Sequence, residues 1–195
     1  MNFLAHALLS GSDADILLGN LMADFLGAGE KIHHQLPQVQ RGIAWHYQID
    51  RFMDSHPLVA QGRARLFPEY RHYSAVLVDV FYDHLLARNW DSFSAVPLSE
   101  FAPWVYRTLE TRRDECPESF AQIIPHLISD DWLRGYAVDE GVLHALTRLQ
   151  KRGTRGVMLT QAWDDFDGQR ALFEAEFREF FPQIQRLGRE NGALS

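Results

Sequence analysis

Apolar residues along this chain recur mainly at helical spacing, and alternating strand-like runs are few. Ser12 or Asp13 is placed to cap a helix that runs to about Gly27, with Gly27-Ala28-Gly29 as its stop. Pro37 marks the start of a second helix, which reaches about Met53. His56-Pro57 breaks that pattern, and a short helix follows to about Leu66. Pro68 then opens a long helix over about 69–88 that carries Tyr73, Val76, Leu77, Val80, Phe81 and Leu85. Pro97 and Ser99 precede another helix through about Arg113, and Pro117 and Pro125 punctuate the next stretch. Residues from about 130 to 150 and about 164 to 187 read as two more helices. The last carries Phe166, Leu172, Phe173, Phe177, Phe180 and Phe181, whose aromatic spacing reads as core packing. Repeats, low-complexity tracts and long linkers are absent, and 195 residues suit one domain. The pattern predicts an all-α fold, a single-domain helical bundle over 1–195.

Composition narrows the function. Hydrophobic residues make up 46% of the chain, enough for a substantial core, yet no eighteen-residue apolar run predicts a membrane span. Met1-Asn2-Phe3-Leu4-Ala5-His6 carries no basic residue before its apolar stretch, which speaks against a secretory signal. The lone cysteine, Cys116, has no partner for an internal disulfide, as expected in a reducing cytoplasm. A net charge of −7 does not favour nucleic-acid binding. Seventeen of the nineteen basic residues are arginine, the side chain that grips phosphate and carboxylate through a fork.

Histidine and aspartate are unevenly spread. His6, Asp24, His46, Asp50, Asp54, His56, Asp79, Asp83 and His84 all fall before residue 85, so candidate metal ligands concentrate in 1–90. His46 and Asp50 are four apart, as are Asp79 and Asp83, and each pair shares a helix face. Asp24 and Asp79 stand in apolar surroundings, where an uncompensated carboxylate costs several kcal/mol. A divalent cation relieves the repulsion among several such groups. Mixed imidazole and carboxylate ligands suit Mn²⁺, Fe²⁺, Co²⁺, Ni²⁺ or Zn²⁺, and Mn²⁺ is the expected ion. Asp54 and His56 sit where a helix breaks and read as caps. His33, His34, His72, His126 and His144 have no carboxylate cluster at useful spacing and read as structural or solvated.

Four blocks now stand in order. They are Met1-Asn2-Phe3-Leu4-Ala5-His6, Gly19-Asn20-Leu21-Met22-Ala23-Asp24, Gly42 through Asp54, and Leu77 through Trp90. Together they resemble the acyl carrier protein phosphodiesterases, over about residues 1–90. The resemblance implies an all-helical relative of the HD-type phosphohydrolases with an altered ligand order, since Asp83-His84 reverses the usual His-Asp doublet. It implies a manganese-dependent enzyme acting on holo-acyl carrier protein. The products are apo-carrier protein and 4′-phosphopantetheine. Carried onto this chain, it implies a candidate metal set of His6, Asp24, His46, Asp50, Asp79, Asp83 and His84, more than one ion needs; we expect Asp24, His46, Asp50, Asp79 and Asp83 on the metal, with His6 and His84 orienting groups or donating a proton. Arg51 and Arg88 flank the motif helices and are candidate phosphate contacts. Arg63, Arg65 and Arg71, accompanied only by Glu69, form a candidate docking patch for an acidic carrier protein, which Arg107, Arg112 and Arg113 extend.

Two other readings remain open from the sequence. One keeps the metal site but takes nucleotides or other small phosphoesters. The other is a helical interaction module whose His and Asp residues merely cap and pair. A di-iron carboxylate bundle ranks low.

Overall fold

The computed structural model describes residues 2–27, 36–151 and 156–193, and all regular structure among them is helical. In chain order the helices are α1 (Phe3–Leu8), α2 (Ala14–Met22), α3 (Pro37–Ser55), α4 (Pro57–Tyr70), α5 (Ser74–Arg88) and α6 (Leu98–Thr111). They continue with α7 (Glu118–Ala121), α8 (Ile124–Ser129), α9 (Trp132–Gly135), α10 (Asp139–Lys151), α11 (Ala162–Asp167) and α12 (Arg170–Glu190). None is long and apolar enough, among the described residues, to cross a membrane. The expected stop at Ala28-Gly29 and the readings of His33 and His34 lie outside the described residues.

Helix α5 is the axis of the core. From Leu77 to Ala87 every residue but Asp79 is fully or nearly fully buried, so the helix is wrapped on all sides. Phe81 stacks on Phe166 of α11 at 4.4 Å between centroids, and Tyr82 packs against Phe177 and Phe180 of α12. The aromatic run of α12 is therefore core packing, as its spacing predicts, whereas Leu172 is 54% exposed.

Helices α2 and α3 approach until their backbones touch. A Cβ on Gly19 would stand 2.1 Å from the Val39 carbonyl oxygen, and one on Gly42 would stand 2.3 Å from that of Ile16. Backbone meets backbone here, and only glycine permits it. Asp13 caps α2, its carboxylate accepting from the amides of Asp15 and Ile16.

Several boundaries differ from expectation. Pro68 lies inside α4 instead of opening the next helix. The break comes at Arg71, which has φ 51°, and a 3₁₀ turn over Arg71–Tyr73 leads into α5. The stretch 130–150 divides into α9 and α10, and 164–187 divides between α11 and α12 around Gly168-Gln169. Helix α1 is additional. Six residues are too few to form a stable helix alone. Asn2 caps it by accepting from the Phe3 amide, and Asp83 of α5 accepts from Leu4 (2.8 Å) and Ala5 (3.1 Å).

Replacing Gly19 or Gly42 with alanine should lower the unfolding free energy by about 1–3 kcal/mol through overpacking. Urea titration of the variants against the parent chain measures this, and unchanged midpoints would show that the helices separate at no cost.

Candidate metal centre

Four elements converge on one cleft. Helix α1 supplies His6, the turn after α2 supplies Asp24, and α3 supplies His46 and Asp50 one helical turn apart. Asp79 of α5 lines the same cleft. The imidazoles of His6 and His46 stack with centroids 4.3 Å apart. His46 Nε2 lies 3.0 Å from Asp24 Oδ1 and 3.1 Å from Asp50 Oδ2, while His6 Nε2 lies 3.3 Å from Asp50 Oδ1. Ligand atoms of His6, His46 and Asp50 all fall within 4.8 Å of one another.

Asn20, buried in α2, sets both rings. Its amide nitrogen donates to the His6 carbonyl and to Ser10 Oγ, which turns its side-chain oxygen toward His6 Nδ1 at 2.7 Å. Its backbone carbonyl meets His46 Nδ1 at 2.8 Å. Each of these oxygens can only accept, so both Nδ1 atoms carry the proton and both Nε2 atoms face the carboxylates. This is how metal-ligating histidines are commonly oriented. The sequence reading missed Asn20. Its signal was an amide amid the apolar residues of a helix interior, where asparagine is a poor former.

The electrostatics agree. Burial drives His6 down to about 4. Burial acts likewise on His46, but hydrogen bonds to Asp24 and Asp50 outweigh it and hold the imidazole up at about 9. Asp24 is held low chiefly by its hydrogen bond to His46. Burial opposes ionisation of Asp50, yet chiefly its hydrogen bond with His46 holds it well below the usual range. Asp79 is pushed upward by burial. His6 Nε2 is buried without a hydrogen bond among the described residues. A basic lone pair facing a carboxylate oxygen is a repulsive arrangement that a cation would relieve. Donor atoms at right angles on an ion, each bonded at about 2.1 Å, stand about 3 Å apart, so the spacings found here fit a divalent ion.

The cleft has two chambers. One, of ≈ 280 Å³, has His6, Asn20, Asp24, His46 and Asp79 on its polar side and Phe3, Leu21, Phe25, Val76 and Leu149 on its apolar side. The other, of ≈ 200 Å³, is lined by Asp24, Asp50, Asp54, Arg63 and Asp79 together with Met53 and Ala75. A larger cavity of ≈ 510 Å³, on a surface that includes Phe93, Phe101 and Trp104, contains none of the expected site residues.

Other expected site residues lie elsewhere. Asp83 is turned away from the cluster, with both oxygens committed to α1 amides, and burial pushes its carboxyl up to about 7 against those amides. His84 Nδ1 donates to the Tyr136 carbonyl and Nε2 accepts from Arg170, 2.9 Å away, so the ring is neutral and both nitrogens are engaged. Burial lowers it to about 4, which removes the proton it was expected to donate. Arg88 faces Asp139 at 3.7 Å, and Arg51 is exposed on α3. Arg65 forks onto Glu176 of α12 and lies 4.3 Å over the Phe173 ring, which ties it into the fold and not to a docking surface. Arg71 is exposed, Arg112 pairs with Asp15 and Glu115, and Arg113 donates to the Ala121 carbonyl. His56 caps α4, and Asp54 holds Arg63 at 2.7 Å. Cys116 is half-buried, its thiol pushed up to about 11 by burial.

An all-helical protein with two amide-fixed imidazoles facing two carboxylates falls in the class of proteins with a candidate divalent-cation centre. A sequence profile described as acyl carrier protein phosphodiesterase matches residues 1–184, and the chain belongs to that family. A protein of that description from Salmonella agona strain SL483 is 32% identical over 185 residues, covering 94% of this chain and 95% of its own. Relatives of the same description from Salmonella dublin and Salmonella newport strain SL254 match with the same identity and coverage. No solved structure matches significantly.

Asn20→Ala should weaken Mn²⁺ binding about 10- to 100-fold, as loss of an orienting partner does elsewhere. Calorimetric titration of metal into the variant tests this. His84 titrates near 6.5 when unfolded and near 4 when folded, so the unfolded chain takes up the proton first. Its contribution to stability is full above about 6.5 and is lost as pH falls toward 4. Acid should therefore destabilise the parent more than His84→Gln, by up to about 3 kcal/mol at pH 4. Parallel denaturation curves for the two proteins across that range would contradict the assignment.

Proposed function

We propose that this chain hydrolyses the phosphodiester joining 4′-phosphopantetheine to a serine of holo-acyl carrier protein. The products are apo-carrier protein and 4′-phosphopantetheine. The observation that carries the chemistry is the pair of Asn20-oriented imidazoles converging on Asp50 and Asp24. Family membership supplies the substrate class.

His6, His46 and Asp50 would hold the cation, with Asp24 beside them and Asp79 across the cleft. Mn²⁺ is our choice among ions that accept mixed nitrogen and oxygen donors. When bound, such an ion lowers the pKa of a coordinated water and balances charge on a phosphate oxygen. Asn20, by engaging both Nδ1 atoms, turns both Nε2 atoms toward the carboxylates that would share the ion. Asp50, ionised across the working pH range, carries charge into the site without needing to lose a proton. Asp24 is the most exposed of the group, its side chain 69% accessible, and stands at the entrance. The apolar wall of Phe3, Leu21, Phe25 and Val76 suits the pantetheine arm, whose gem-dimethyl group needs apolar contact. Exposed Arg71 is left as a docking contact for an acidic carrier protein. His84 is dropped as a proton donor.

Incubation of the full chain with holo-acyl carrier protein and Mn²⁺ should remove the phosphopantetheine mass from the carrier. A chelator should block the loss, and Asp50→Ala should reduce it by at least about 100-fold with helicity unchanged. Cleavage of nucleotides with an untouched carrier would favour a small-phosphoester hydrolase. Failure to bind metal at all would favour a non-catalytic interaction module.

A further inference from the structure

We infer that Arg63, a guanidinium in the wall of the second chamber, is the side chain that binds the substrate's phosphate. The inference rests on the hydrolase reading and adds a residue to it. The problem it solves is electrostatic. Asp24, Asp50 and Asp79 face the cleft, and a phosphodiester entering among them brings a further negative charge. Among the described residues lining the two chambers, Arg63 is the one guanidinium. Arg51 and Arg88, the sequence candidates for this role, line neither chamber, and Arg65 is committed to Glu176.

The position of Arg63 is built. Helix α4 carries it to the cleft, and Asp54, at the end of α3, accepts from its Nη2 at 2.7 Å. The pair spans the α3–α4 junction and limits the rotamers available to the long side chain. The side chain is 22% exposed, and its Nε is buried without a hydrogen bond among the described residues. An arginine tethered through one nitrogen keeps other N–H groups for the oxygens of a phosphate, which is what forked phosphate recognition requires. Arg63 was first grouped with Arg65 and Arg71 as a docking patch. The two roles predict different kinetics. Docking affects KM, whereas a group that meets the reacting phosphate affects kcat.

The test uses the full chain loaded with Mn²⁺. Arg63→Ala should cut kcat on holo-acyl carrier protein by about 100-fold or more. The fall in kcat should exceed any rise in KM, and Mn²⁺ affinity should be unchanged. Arg63→Lys keeps the charge, loses the fork and should fall in between. It carries the test alone if Arg63→Ala does not fold. Free guanidinium should restore part of the lost rate in Arg63→Ala. Binding of inorganic phosphate, followed by calorimetry, is the readout that needs no turnover, and it should weaken at least about tenfold in either variant. Phosphate binding that depends on Arg63 in a protein inert toward carrier protein would uphold this inference and sink the hydrolase reading. A raised KM with intact kcat, lost metal binding, or phosphate affinity indifferent to Arg63 would overturn it.

Discussion

The backbone-to-backbone contact of α2 with α3 is the constraint on which the rest depends. Gly19 and Gly42 let the two helices approach until each presses on the other's main chain. The residue after Gly19 is Asn20, and His46 lies one turn beyond Gly42. The distance between those helices therefore decides whether the Asn20 carbonyl reaches His46 Nδ1. Any bulk at the crossing would part the helices, and the imidazole would lose the bond that fixes its tautomer. The same asparagine reaches across to α1 and orients His6. One small-residue crossing and one buried amide thus prepare two nitrogen donors.

The site combines groups with opposed electrostatic preferences. Burial favours neutral forms, yet Asp50 and Asp24 remain ionised because the His46 imidazole stands beside them. The proton that balances them resides on His46, while His6 stays neutral 4.3 Å away. Two stacked imidazolium rings would repel, so the division of labour between the histidines follows from their stacking. A divalent ion taking the place of that proton would satisfy both lone pairs at once.

What the sequence made legible was the helical period and the His46–Asp50 pair, because spacing of four on a helix has one geometric meaning. Asp83 and His84 could not be separated from the cluster by pattern. A carboxylate in an apolar helix looks the same whether it answers a cation or two amides, and Asp83 answers the amides of a helix 79 residues away. His84 is likewise spoken for by Tyr136 and Arg170, both distant in the chain. Helix α1 was not read because six residues are too few to show a period, and the amides of Leu4 and Ala5 are held by Asp83 of α5. Arg63 and Arg65 are two apart, so α4 turns them to different sides, one to the cleft and one to Glu176. A string of like residues on a helix is not a surface patch until its rotation is known.

The bond from Asp83 to the start of α1 also sets an order of events during synthesis. His6 leaves the ribosome before α5, and the helix that carries it lacks its Asp83 anchor until α5 has emerged and begun to pack. Small zinc modules fold around their ion, using it as a nucleus. Here the early histidine must wait for the later carboxylate, so the nascent chain offers no complete cluster to capture a stray cation. Any loading would fall to the finished fold, which presents its candidate donors already aimed.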